Sequence, residues 1–193
     1  MSSSDDTLDL LERALAQVGA VIAAVRPDQA ELPTPCRSWD VRALVNHVTD
    51  EVHQFAVVTA GGKREHLGLD VIGDDWAGAF RAVADELLEV WRQPGALDRP
   101  QHLSIGDFPP SWALGQQITE LTVHAWDIAK ATGQSTDLDP ELGKLALTWA
   151  GDNLRPEFRG DESEGYQIGH EKPVDPDAPL YERLAAIGGR DPG

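Results

Sequence analysis

The sequence predicts an all-α fold: a four-helix bundle with an additional helix and a loop-rich C-terminal tail. Two observations carry that expectation. Apolar residues recur at steps of three and four through several long segments, the period of one helix face. Between these segments lie proline- and glycine-rich connections, with no sustained two-residue alternation of the kind a half-buried strand shows. A third observation makes the core affordable: 41% of the 193 residues are hydrophobic. Cys36 is the single cysteine, so no internal disulfide is available, and its presence alone fits a reducing cytoplasm.

The first helix is expected near residues 5–25, where Leu8, Leu11, Leu15, Val18, Ile22 and Val25 form one stripe and Pro27 closes it. Leu32-Pro33-Thr34-Pro35-Cys36-Arg37 cannot be helical throughout and reads as an extended connector. Ser38 is then the expected N-cap of a second helix near 39–60, with Val41, Leu44, Val45, Val48, Val52 and Phe55 facing inward. Trp76, Phe80, Val83, Leu87 and Val90 mark a third helix near 74–92, stopped by Gln93-Pro94-Gly95. Residues 95–110 carry no helical period and are expected to form a long loop with a short extended piece at His102 to Ile105. Leu114, Ile118, Leu121, Ala125 and Ile128 predict a fourth helix near 111–131, ended by Thr132-Gly133. Asp139-Pro140-Glu141 combines an N-cap, a first-turn proline and a first-turn acid, and opens a fifth helix near 139–153 that buries Leu142, Leu145 and Trp149. From Arg155 to Ala178 the chain is acidic and rich in glycine and proline. A short terminal helix from Pro179 to Ile187 offers Leu180, Leu184 and Ile187 to the core. No repeat or linker divides the chain, so 1–193 is expected to be one domain with 154–193 packing as a tail on the bundle.

The formal net charge is -17, from 33 acidic and 16 basic residues. A field of that sign repels phosphate backbones and anionic lipid and argues against nucleic-acid binding. Met1-Ser-Ser-Ser-Asp-Asp has neither the basic nor the apolar region of a signal peptide, and no apolar run reaches bilayer length. A cytoplasmic location with no membrane partner is expected.

The chemistry centres on Glu120-Leu-Thr-Val-His124-Ala-Trp-Asp127. On a helix, Glu120 and His124 stand one turn apart on the same face, a spacing at which a carboxylate and an imidazole grip one divalent ion. A third ligand has to come from another helix, and His47, at the edge of the second helix's apolar stripe, is the candidate. Two histidines and one glutamate with an open position form a catalytic zinc arrangement. Asp127, one turn beyond His124, is placed to orient a ligand imidazole or to cap a neighbouring helix, and Asn46 has the same ambiguity. His53, His66, His102 and His170 read as surface or loop residues. Cys36 has no neighbouring base in sequence and reads as a small buried residue before a helix. Trp39, Trp126 and Trp149 lie near apolar stripes and are expected in the core.

Pro33-Thr-Pro-Cys36-Arg-Ser-Trp39-Asp-Val-Arg-Ala-Leu44-Val-Asn-His47-Val48 resembles the signature of the N-terminal domain of mycothiol-dependent maleylpyruvate isomerase. Glu120 to Asp127, followed by Ile128-Ala-Lys-Ala-Thr-Gly133-Gln134, resembles its second signature. The ending from Ala178 to Pro192 is similar to that of a short-chain metal-binding subfamily of the group. The resemblance implies a DinB-like bundle with a divalent metal, usually zinc, at its open end. It carries the metal ligands onto His47, Glu120 and His124, the three that spacing selects. It further implies mycothiol as cofactor or co-substrate, in isomerisation or in transfer of the thiol to electrophiles. The chain departs from the isomerase by ending where that enzyme continues into a C-terminal domain, which puts maleylpyruvate as the substrate in doubt.

The expected partners are therefore a small thiol and a small electrophilic substrate, with the thiol sulfur as fourth ligand, deprotonated by the dication. A non-catalytic metal-binding or regulatory module, or a metal-dependent hydrolase acting through bound water, would use the same three ligands.

Overall fold

The computed structural model describes residues 4–65, 68–103, 106–161, 164 and 168–192. Their order is α1 (Ser4–Ala23), α2 (Val41–Thr59), α3 (Trp76–Trp91), β1 (Gln101–Leu103), β2 (Gly106–Phe108), α4 (Pro110–Thr132), α5 (Pro140–Asn153) and α6 (Leu180–Ile187). Helix α1 packs on α3 and α4, and α2 packs on the same two, so the four close a ring around one core. Helix α5 lies on the outer side of α4, and α6 packs on α5 and α4. This is the all-α bundle with an added helix and a loop-rich tail that the apolar stripes predict, and it is consistent with the DinB-like fold that the resemblance implies.

The stripes become the core. Leu11, Leu15, Val18 and Ile22 of α1 meet Val41, Leu44, Val45, Val48 and Val52 of α2, with Phe80 and Leu87 of α3 and Leu114, Ile118, Leu121 and Ile128 of α4. Helix α4 is central. Its opposite face sends Val123 and Trp126 into a second cluster with Ala146, Ala150, Tyr181, Leu184 and Ala185. Because α4 is covered on both sides, it also buries polar residues, and the threonines among them turn back on their own helix. Thr119, Thr122 and Thr132 donate to the carbonyls four residues earlier at 2.7, 2.6 and 2.7 Å.

Helix ends differ from the sequence expectation in one informative place. Asp40, not Ser38, caps α2. Its backbone is extended (φ -74°, ψ 176°) and its carboxylate accepts from Ala43 N at 2.8 Å. Ser38 is still inside the preceding loop, which is closed by an antiparallel bridge between Pro33 and Asp40. In the 95–110 connection the extended piece is a small hairpin, β1 pairing antiparallel with β2. Ser104 and Ile105, included in that expectation, lie outside the described residues, as does His66. In α6 the buried face is turned from the predicted one: Tyr181, Leu184, Ala185 and Ala186 are buried, while Leu180 and Ile187 keep partial exposure.

Candidate metal centre

Four parts of the chain converge on α4: the start of α2, the 33–40 loop, α4's own Glu120–Asp127 turn, and the end of the tail. Alternate steps of four and three along α4 put Glu120, His124 and Asp127 on one side. His124 Nε2 lies 3.5 Å from Glu120 Oε2, and His124 Nδ1 lies 3.0 Å from Asp127 Oδ2. The His47 ring of α2 meets the His124 ring edge-on, with centroids 5.4 Å apart. Trp39 lies tilted against His47 at 4.2 Å between ring centroids and 6.5 Å from the His124 ring, so the three rings form one wall. Glu120 and His47 thus each lie beside His124, while the ligand atoms of the three do not all come within 4.8 Å of one another.

The 33–40 loop is shaped by Thr34. Its hydroxyl accepts from Cys36 N at 3.1 Å and donates to Trp39 O at 2.8 Å. That knot aims Trp39 at His47 and turns Cys36 toward α4, where Sγ stands 3.2 Å from Asp127 Oδ2. Arg190, from the tail, donates to the same Asp127 oxygen at 3.1 Å through Nη2 and at 3.3 Å through Nε. It also donates to Cys36 Sγ at 3.2 Å. Asp127 is fully buried, and Arg190 keeps only 14% of its side-chain surface exposed.

These contacts fix the imidazole. Burial alone pushes the Asp127 carboxyl up, but the Arg190 charge and the His124 bond outweigh it, so the group is held below its usual range and is ionised. An ionised carboxylate only accepts, so His124 Nδ1 carries the proton and donates it. Neutral His124 then turns the lone pair of Nε2 toward Glu120 Oε2, and two lone-pair atoms face each other across 3.5 Å. Burial opposes a charge on His124, yet the bonds to Asp127, Cys36 and Glu120 prevail and lift it well above 6.5. Burial likewise opposes the Glu120 charge, and the bond and charge of His124, with the Arg190 and His47 charges, prevail and lower it. The space between Nε2 and Oε2 therefore favours a positive charge. A proton or a metal ion satisfies it, and the donor set of two imidazoles and a carboxylate suits a divalent ion of the zinc type. Glu120, with 41% of its side-chain surface accessible, keeps the place open to solvent.

A second set of potential ligands stands beside the first. Cys36, His124 and Asp127 offer atoms all within 4.8 Å of one another, a tighter grouping than the predicted three form among the described residues. It already holds a cation. The Arg190 guanidinium sits on both Cys36 Sγ and Asp127 Oδ2, so a metal ion there would meet a fixed positive charge at close range.

The remaining candidates go elsewhere. Asn46 spans the loop after α2, donating to Leu69 O at 3.0 Å and accepting from Val71 N at 2.8 Å. His53 is exposed and 3.0 Å from Glu86, His102 is exposed and 2.7 Å from Asp107, and His170 is exposed. Trp126 is in the core, whereas Trp39 is only half-buried and walls the site.

The family model of the mycothiol maleylpyruvate isomerase N-terminal domain matches residues 11–129, from within α1 through most of α4, and takes in all three predicted ligands. The chain belongs to this family. Two curated relatives of Mycobacterium tuberculosis, from strains CDC 1551 / Oshkosh and ATCC 25618 / H37Rv, are each described as an uncharacterized protein. Each is 35% identical over 188 residues, which covers 96% of this chain and 98% of the relative. No solved structure matches. The mycothiol maleylpyruvate isomerase N-terminal domain match stops before Arg190, so the guanidinium that holds Asp127 comes from chain beyond the matched segment. No helix among the described residues is long and apolar enough to cross a membrane.

Proposed function

We propose that this chain is a zinc-dependent enzyme that activates a small thiol, in keeping with mycothiol in its family's name, for transfer to an electrophile or for isomerisation. His47, Glu120 and His124 would hold the ion. The observation that carries the proposal is the pairing of His124 Nε2 with Glu120 Oε2 at 3.5 Å, beside the edge-on ring of His47. Bound there, a divalent ion supplies a Lewis acid that favours the thiolate of a coordinating thiol at neutral pH.

The chain's own residues do the rest. Asp127 holds the His124 proton on Nδ1 and so keeps Nε2 free as a donor. Trp39 covers one face of His47 and excludes water from that side. Glu120 contributes a negative charge that offsets that of the ion, and its partial exposure leaves an approach from solvent. The acidic surface gives no attraction to nucleic acid, so a small molecule is the expected partner.

Zinc-loaded protein is mixed with mycothiol and a small electrophile, and free thiol is followed with time. The expected result is thiol loss that is catalytic in protein and absent from the His124→Ala variant. Zinc-loaded protein that neither binds nor consumes mycothiol would favour a non-catalytic metal-binding module.

A further inference from the structure

We infer that Arg190 is a positioning residue for the metal centre, acting from the C-terminal tail through Asp127 on His124. The inference rests on the metal reading above and assigns a task to a part of the chain that lies outside the family match.

The connection is short and dry. Arg190 Nη2 and Nε reach Asp127 Oδ2 at 3.1 and 3.3 Å, and that same oxygen accepts from His124 Nδ1 at 3.0 Å. Asp127 has no exposed side-chain surface and His124 has 6%, so water does not screen either contact. The guanidinium is itself immobilised: Nη1 donates to Gly188 O at 2.7 Å and Nη2 donates to Cys36 Sγ at 3.2 Å. One cation thereby joins the tail, the 33–40 loop and α4.

The tail is built to deliver it. Arg190 N donates to Ala185 O at 2.9 Å, closing the end of α6. The turn before it uses Gly189 at φ +84°, where the backbone runs against Gly169 so closely that a Cβ would stand 2.7 Å from Gly169 Cα. Beyond it, Lys130 Nζ donates to Pro192 O at 3.0 Å and ties the tail back to α4. A buried carboxylate left with only a thiol and an imidazole would lack its compensating charge, and the segment would shift to admit water. The imidazole would then lose the anchor that sets its ring. Holding a ligand's second nitrogen in this way is worth about 10- to 100-fold in metal affinity.

The test uses full-length protein and zinc alone, with dissociation constants taken by competition against a chromophoric chelator. Arg190→Ala should weaken zinc binding about 10- to 100-fold while the helical circular dichroism signal stays near that of wild type. Arg190→Lys should restore only part of the loss, since one ammonium cannot reproduce the guanidinium fork on Asp127. In an Asp127→Asn background, Arg190→Ala should change affinity by less than about threefold, because the path through Asp127 is already cut. Linkage adds a reading on wild type: zinc should slow amide hydrogen exchange in residues 180–190, and this reading stands if Arg190→Ala fails to fold. Wild-type affinity in Arg190→Ala, full additivity with Asp127→Asn, or unchanged exchange in 180–190 on zinc binding would each overturn the inference alone. Wild type that holds no zinc would overturn the metal reading, and this inference with it.

Discussion

His124 Nδ1 lies 3.0 Å from Asp127 Oδ2, one turn apart on a helix that is covered on both sides. The same oxygen takes the Arg190 guanidinium, so a carboxylate with no exposed side-chain surface is neutralised by a residue 63 positions away. Burying an ion pair contributes little in itself, but removing one member leaves the other uncompensated. Asp127→Ala is therefore expected to cost about 3–5 kcal/mol in urea unfolding, far beyond an ordinary surface change. Stability within about 1 kcal/mol of wild type would mean that the pair is solvated or easily rearranged.

Close packing between α4 and α5 gives a prediction independent of the site. A Cβ on Gly115 would stand 2.8 Å from Trp149 Nε1, with Cδ1 of the same ring closer still. Alanine favours a helix interior over glycine by roughly 0.5–1 kcal/mol, whereas forcing a methyl into a filled contact costs about 1–3 kcal/mol. Gly115→Ala should accordingly lower the unfolding temperature. A rise would show that the Trp149 ring moves aside at little cost.

The fold was largely legible because each helix presents a clear apolar stripe, as Leu11, Leu15, Val18 and Ile22 do in α1. Glu120 and His124 were legible as neighbours because helical spacing sets them a turn apart. Their meeting with His47 depends on how α2 packs on α4, which local period does not encode. The stripe of Leu114, Ile118, Leu121, Ala125 and Ile128 marks only one face of α4, whereas Val123 and Trp126 are covered by α5 and α6. Residue type alone favours Ser38 as a cap, while the choice of Asp40 is made by the backbone of a loop closed on Pro33. Arg190 lies in the ending that resembles a metal-binding subfamily, but nothing in spacing or charge gives it a role, which appears only when the Gly189 turn swings it onto Asp127. Cys36 reads in sequence as a small buried residue for the same reason, its neighbours being 91 and 154 residues away.

Asp139 yields the pH-dependent prediction. It caps α5, accepting from Glu141 N at 2.9 Å, and its carboxylate also pairs with Arg13 of α1. Partial burial raises the carboxyl, but the Arg13 bond and the backbone bonds outweigh it, so the folded-state value lies below 3.8. A depressed carboxyl contributes stability that is present above its unfolded value and lost as pH falls through the folded one. Asp139→Ala should cost about 1 kcal/mol near neutral pH, from the cap. The gap between variant and wild type should close in acid, below the ordinary carboxylate range. Urea unfolding of both proteins across that range measures it, and a gap that stays constant into acid would contradict the role given to the charge.

His47, Glu120 and His124 are proposed to hold one divalent ion. His124 makes no part of the apolar core, so His124→Ala should keep the helical fold and lose the metal. The direct measurement is metal content by mass spectrometry on purified wild type and on this variant, each incubated with zinc and then desalted. Wild type should hold about one zinc per chain and the variant essentially none. Equal zinc in the two proteins would contradict it.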